Sequence, residues 1–152
     1  MEKKNTVRIT KKFDFEAAHA LCGYDGACES IHGHSYVLYV TLKGNVSDDN
    51  SDPKLGMVMD FSILKKIVKE KIIDVFDHSL LIKEDSPHAN EPFFKNNKYR
   101  VIILPFQPTC ENMVIYMAHQ IKSKLPKNTE LHSLRLHETA TAYSEWYAED
   151  NV

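Results

Sequence analysis

Two histidines, His32 and His34, are separated by a single glycine, with His19 thirteen residues upstream. In a β-strand, residues i and i+2 point to the same face, so the His-x-His pattern directs two imidazoles to one side. Gly33 between them leaves the opposite side open for close approach. Neutral imidazole is a good zinc ligand, and three protein ligands leave a fourth tetrahedral position for water or substrate. The sequence therefore predicts a catalytic zinc held by His19, His32 and His34.

The alternation of side chains predicts the strands that carry these histidines. Residues 7–19 place apolar side chains on one parity and charged or polar side chains on the other, with Lys11 as the exception. A second strand is predicted over residues 32–43, with His32 and His34 on its apolar parity. Both patterns are typical of half-buried strands. We therefore expect all three histidines to face the interior.

The remaining elements are predicted from helical spacing and from turn residues. One helix opens at Asp60 and carries an apolar stripe to Phe76, and a second begins after the N-cap Thr109 and ends by Pro126. Residues 83–98 are polar and irregular, and short strands are predicted over residues 99–104, 131–138 and 143–148. This order predicts a single α+β domain, residues 1–152, with both helices on one face of an antiparallel sheet.

Composition and charge exclude several classes of protein. The chain has 152 residues, 43% of them hydrophobic, and its longest apolar runs fall far short of a membrane span. No signal-peptide core follows the basic residues near the start, so a cytoplasmic location is expected. The formal net charge of −2 argues against nucleic-acid binding by bulk attraction. Three cysteines without a Cys-x-x-Cys pair suggest no disulfide framework, and Cys22 and Cys110 are interpreted as packed thiols.

Three further positions could carry chemistry. Glu138 shares the core-facing parity of its strand, and a buried carboxylate needs either a ligand with donor groups or an internal partner. Cys28 could act as a general base or nucleophile if zinc or a cationic histidine stabilises its thiolate, although a packed thiol is the favoured interpretation of this cysteine taken alone. Asp77 and His78 follow the first helix. They are interpreted either as a solvated helix end or as a carboxylate that polarises an imidazole reached through the fold or from a neighbouring subunit.

Six short motifs follow one another along the chain. They are Phe15-Glu16-Ala17-Ala18-His19, Cys28-x-x-x-His32-Gly33-His34, Met59-Asp60-Phe61, Asp77-His78, Pro108-Thr109-x-Glu111 and Leu136-His137-Glu138-Thr139. In this order they resemble the 6-pyruvoyltetrahydropterin synthase family, over about residues 13–146. Within that family the chain is most similar to the bacterial branch of the queuosine pathway, whose members form 6-carboxy-5,6,7,8-tetrahydropterin.

The resemblance implies a role for each motif. Zinc would be held by the three histidines, and Cys28 would be the base that abstracts a proton. Asp77 and His78 would serve the proton relay from an adjacent subunit. Glu138 would anchor the guanidine-like edge of the pterin, and Thr109 and Glu111 would continue that pocket. The implied substrate is 7,8-dihydroneopterin triphosphate, which would lose triphosphate and acetaldehyde.

The family also implies a fold and an assembly. Its T-fold is a four-stranded antiparallel sheet with two helices on one face. Trimers close a β-barrel, and two trimers stack into a homohexamer. An active site between subunits would account for Asp77 and His78, which are difficult to place beside Cys28 within one chain.

The chain departs from the family pattern at two places. The segment from Ser86 to Gln107 is longer than the usual connection and has no family template. Glu29 follows Cys28, and a branch that makes 6-hydroxymethyl-dihydropterin for folate uses a glutamate as the base. Three products therefore remain open, namely the carboxy-, pyruvoyl- and hydroxymethyl-pterins. A pterin-binding or barrel-forming protein without turnover is the alternative from another class.

Overall fold

Six strands form one mixed sheet in this computed structural model, which describes residues 4–23, 30–95 and 98–152. The strands lie in the order β4-β3-β1-β2-β5-β6. Their bounds are β1 Thr6–His19, β2 His32–Asn45, β3 Ser79–Lys83, β4 Val101–Leu104, β5 Thr129–His137 and β6 Tyr143–Tyr147.

The two longest strands, β1 and β2, are paired antiparallel along their whole length, from Thr6 opposite Asn45 to His19 opposite His32. Their burial alternates as the sequence predicts, with Phe15, Ala17 and His19 on the buried side of β1. Because the register ends on the His19 and His32 pair, two of the histidines meet where the loop between the strands begins and ends.

Both predicted helices are present and pack on the buried face of the sheet. The first helical segment comprises α1 Phe61–Val68, a π-helical turn Lys69–Ile73 and α2 Asp74–Phe76. Asp60 caps α1 by accepting a hydrogen bond from the Ser62 amide. The apolar stripe of this segment repeats every four residues, which is more than one turn of an α-helix and less than one turn of a π-helix. The π-helical turn therefore helps to keep the stripe on one face of the segment. The stripe consists of Leu64, Val68, Ile72 and Phe76, all with no exposed surface.

The second long helix is α4, Cys110–Lys122. Thr109 caps it, with the side-chain oxygen accepting from the Asn112 amide. The buried face of α4 packs mainly against β5 and β6 and also contacts the π-helical turn. The cap confirms the predicted start of the helix, and it fixes the Pro108-Thr109 segment beneath the end of β1.

The four-strand count predicted from the family was too low. The antiparallel part, β1-β2-β5-β6, matches the prediction, but β3 and β4 extend the sheet in parallel beyond β1. Of these two strands, β4 belongs to the segment that has no family template, together with α3 Pro92–Lys95 and a 3-10 turn Pro87–Asn90, whereas β3 precedes that segment. Since β3 touches β1 only from Ala17 to His19, it adds to one end of the sheet. In the part of the chain that the structure describes, no helix has the length and hydropathy to cross a membrane.

Candidate active site

Three imidazoles converge where β1 ends and β2 begins. One ring nitrogen from each of His19, His32 and His34 lies within 4.8 Å of the others. The Nε2 atoms of His19 and His32 are 3.1 Å apart. Two imidazole nitrogens bound to one tetrahedral zinc ion lie about 3.4 Å apart. The cluster confirms that the histidines predicted from the sequence come together.

Backbone carbonyls set the tautomers of two of these rings. His19 Nδ1 donates to the carbonyl of Pro108 at 2.6 Å, and His32 Nδ1 donates to the carbonyl of Ser30 at 2.7 Å. In the neutral rings this arrangement directs the Nε2 lone pairs of His19 and His32 toward each other. A cation would relieve the resulting repulsion, and carbonyl acceptors behind histidine ligands are the usual support of a metal site.

The third ring supplies an independent indication. His34 Nε2 is buried and has no hydrogen-bond partner within the described residues. Orphaned polar atoms of this kind are costly unless a ligand satisfies them. The donor set of three neutral imidazole nitrogens therefore fits a divalent metal such as zinc.

The electrostatics of the cluster favour neutral rings. Burial is the largest cause that lowers the pKa of His19 below its usual value, and the hydrogen bond to Pro108 opposes it. Burial likewise lowers the pKa of His34. Because only the neutral ring can bind a metal through Nε2, these shifts keep the site competent at neutral pH.

Glu138 follows the last residue of β5 and borders the cluster. Its Oε1 atom lies 3.6 Å from Nε2 of His19 and 3.6 Å from Nε2 of His34. The side chain is 27% exposed. Glu138 also lines a neighbouring cavity of about 360 Å³. The carboxylate thus lies between the imidazoles and a space large enough for a small molecule.

That cavity brings together the other residues expected to bind substrate. Thr109 and Glu111, at the start of α4, lie on its wall with Glu138. Cys110, between them, is buried, and its thiol donates to the carbonyl of Leu136 at 3.2 Å. Burial raises the pKa of the Cys110 thiol, which supports the interpretation of this cysteine as a packed thiol.

Asp77 and His78, interpreted from the sequence either as a solvated helix end or as a functional pair, form a close side-chain contact. Oδ1 of Asp77 is 3.0 Å from Nδ1 of His78 and accepts a hydrogen bond from the Glu16 amide at 2.9 Å. His78 has a φ of 58°, a left-handed conformation that is uncommon outside glycine. The Glu16 hydrogen bond is the main cause that lowers the pKa of Asp77, so this carboxylate stays ionised.

This pair adjoins a cavity that is lined by residues from both faces of β1 and β2. His78 lines a cavity with Glu16 and Ser35, which belong to the exposed parity of β1 and β2. The histidine cluster belongs to the buried parity of the same strands. His34 also lines that cavity, but among the described residues neither Asp77 nor His78 makes a hydrogen bond, ion pair or ring contact with any of the three histidines.

The two candidate bases, Cys28 and Glu29, lie outside the described residues. The chain leading toward them is held by Gln107, which sequence reasoning did not identify. Its side-chain amide donates to the carbonyl of Cys22 at 2.9 Å and accepts from the amide of Cys22 at 3.2 Å. Pro108, which holds His19, was also missed as a site residue. Its role uses a backbone carbonyl, for which the sequence gives no signal.

Comparison with known proteins agrees with this geometry. Residues 8–149 match the family model of 6-pyruvoyl tetrahydropterin synthase. The chain is 33% identical over 141 residues to 6-carboxy-5,6,7,8-tetrahydropterin synthase of Rickettsia typhi, covering 91% of this chain and 99% of the relative. It is also 33% identical to the enzyme of the same name from Haemophilus influenzae, covering 91% and 97%.

Solved structures share the fold. The 6-pyruvoyl tetrahydropterin synthase of Caenorhabditis elegans superposes with a TM-score of 0.67 at 29% identity, covering 97% of this chain and 99% of that chain. This likeness confirms the α+β T-fold expected from the sequence. The family model, the curated relatives and the shared fold agree, and the chain belongs to the 6-pyruvoyl tetrahydropterin synthase family of pterin lyases.

Proposed function

We propose that this protein is a zinc-dependent lyase that forms 6-carboxy-5,6,7,8-tetrahydropterin in queuosine biosynthesis. The substrate is 7,8-dihydroneopterin triphosphate, which reacts with one water and releases acetaldehyde and triphosphate. The convergence of one ring nitrogen from each of three histidines beside a carboxylate-lined cavity carries the proposal. The names of the curated relatives support the choice of product. The cytoplasmic location expected from the sequence belongs to the same proposal.

Each group in the proposed mechanism has one task. His19, His32 and His34 would hold zinc, which polarises the hydroxyl groups of the substrate side chain and acidifies the neighbouring C–H bonds. Glu138 accepts hydrogen bonds from the N–H groups of the pterin edge, and this carboxylate lies close enough to the imidazoles to place the substrate side chain beside them. Thr109 and Glu111 complete the pterin pocket.

Proton transfer is assigned to Cys28 and to the Asp77 and His78 pair. Cys28 removes a proton from the substrate side chain, and a nearby cation favours its thiolate. His78 carries the proton between substrate and solvent. The ionised Asp77 holds the ring of His78 in place through the 3.0 Å contact.

The proposed assembly is a hexamer of two trimers with composite active sites. Two observations support it. Among the described residues, Asp77 and His78 make no direct contact with the three histidines of their own chain, and the sheet has open edges. Within the described part of the chain, residues 6–15 of β1 have no strand neighbour on the side of β3, and β6 pairs with β5 alone. Joining such edges between copies removes unpaired backbone groups and closes a barrel.

Identification of the pterin product by mass tests the proposed reaction. Zinc-loaded protein is incubated with 7,8-dihydroneopterin triphosphate, and the expected products are the carboxy-pterin and acetaldehyde in equal amounts. Accumulation of the pyruvoyl-pterin, of the hydroxymethyl-pterin or of no product would each replace the proposal with a named rival. Size-exclusion chromatography with light scattering tests the assembly, and a fully active monomer would contradict it.

A further inference from the structure

The segment without a family template builds the wall of a second cavity. This cavity has a volume of about 520 Å³ and is lined by residues from both parities of β1 and β2, His34 among them. Its floor is made of small residues, among them Ala18 and Gly33, and His78 lies on its rim. Phe93 and Tyr99 stand opposite the floor. A volume of this size suits a small molecule or part of one.

The two aromatic rings form a preorganised surface. Their centroids are 4.7 Å apart and their planes are inclined by 27°, so they are stacked. Phe93 is nevertheless 58% exposed and Tyr99 is 40% exposed. In a single chain this stacked pair leaves apolar surface in contact with solvent. A ligand or a second copy of the chain can bury that surface.

Hydrogen bonds hold this wall in place relative to His78. The guanidinium of Arg100 donates to the carbonyls of Asp74 and Val75, at the end of the helix that precedes Asp77. The Leu80 amide donates to the Arg100 carbonyl at 2.9 Å. Arg100, which follows Tyr99, is therefore hydrogen-bonded to residues on both sides of the turn formed by Asp77 and His78.

We infer that Phe93 and Tyr99 determine how the substrate side chain is bound in the composite active site, where they form an apolar wall on the His78 side. The inference rests on the proposed function, since it requires His78 to serve the metal centre of a neighbouring copy. A wall fixed to the His78 turn then faces the substrate side chain at that neighbouring centre. It excludes water around the proton carrier and accommodates the two-carbon fragment that leaves as acetaldehyde.

Steady-state kinetics of the intact oligomer give the first test. Phe93→Ala and Tyr99→Ala are each expected to lower kcat/KM by about tenfold, because each removes one ring of the stacked pair that forms the wall. Tyr99→Phe keeps the ring and is expected to stay within about twofold of the parent. Ile103→Ala, an exposed apolar residue of β4, is the matched control for folding and thermal stability. Parental kcat/KM in Phe93→Ala would overturn the inference.

Mixed oligomers test on which side the wall acts. Protomers with His32→Ala lack the metal half of a composite site but retain the His78 half. Coexpression of Phe93→Ala with His32→Ala should restore sites that have both halves intact, up to about a quarter of the total for random mixing. Coexpression of Phe93→Ala with His78→Ala should restore none, because both changes damage the same half.

The opposite pattern, with restoration by His78→Ala alone, would place Phe93 at its own metal centre and overturn the inference. The pairing of His32→Ala with His78→Ala is the reference. If that pairing restores no activity, the shared site fails and this inference fails with it. If it restores activity while the Phe93 pairings do not follow the stated pattern, only the inference fails.

Discussion

Replacing Gln107 by alanine tests how the segment before Cys28 is held. The change removes two hydrogen bonds to the backbone of Cys22, one donated and one accepted, between residues 85 positions apart. Each such bond contributes about 1 kcal/mol net, so the free energy of unfolding should fall by about 2 kcal/mol. For a domain of this size, that corresponds to a decrease of roughly 4–8 °C in Tm. Differential scanning calorimetry of the metal-loaded protein measures it.

Hydrogen exchange of the Cys22 amide separates local loosening from general destabilisation. This amide loses its acceptor in Gln107→Ala, so its exchange rate should rise at least about tenfold relative to the parent. The exchange rates of core amides of β2 should change only as far as the global stability changes. Gln120→Ala, on α4, is the matched control. A Tm within about 1 °C of the parent, which is a quarter of the smallest expected shift, together with an unchanged exchange rate at Cys22, would refute the reasoning.

Three further predictions follow from the site. Cys28→Ala should lower formation of the carboxy-pterin by about 10²–10⁴-fold, whereas Glu29→Ala should affect only a minor hydroxymethyl-pterin side product; product analysis by mass checks both. In the metal-free protein, burial lowers the pKa of His19 and His34. Below about pH 6.5 the unfolded chain therefore binds more protons than the folded protein, and the free energy of unfolding should fall as the pH decreases through that range. Denaturant titrations from pH 7.5 to 5 measure the slope, and a stability that rises over that interval would contradict it. Thr109→Ala removes the cap of α4 and should cost about 1 kcal/mol of unfolding free energy, with Thr109→Ser nearly neutral.

Local patterns predicted the part of the fold that carries the histidines. The alternation along β1 and β2 reflects one buried and one exposed face, and Asp60 and Thr109 cap helices as their types suggest. These features depend on neighbours along the chain. They were therefore visible in the sequence, as was the parity that brings His19 and His34 together.

Long-range contacts account for what the sequence did not predict. The strand β3 has only five residues and pairs in parallel with the end of β1 and with β4, so its identity depends on partners far along the chain. The carbonyl of Pro108 that orients His19 is 89 positions away from it. The close contact between Asp77 and His78 involves a left-handed residue that no glycine marks. None of these features has a local pattern.

Metal analysis of the purified protein tests the central claim, that the three imidazoles form the metal centre of the reaction. The account predicts one zinc per chain by elemental analysis, loss of both metal and carboxy-pterin formation on chelation, and recovery of both when zinc is added back. His32→Ala should bind substoichiometric zinc and stay inactive after the same treatment. Full activity in metal-free protein, or full zinc content in a folded His32→Ala protein, would contradict the account.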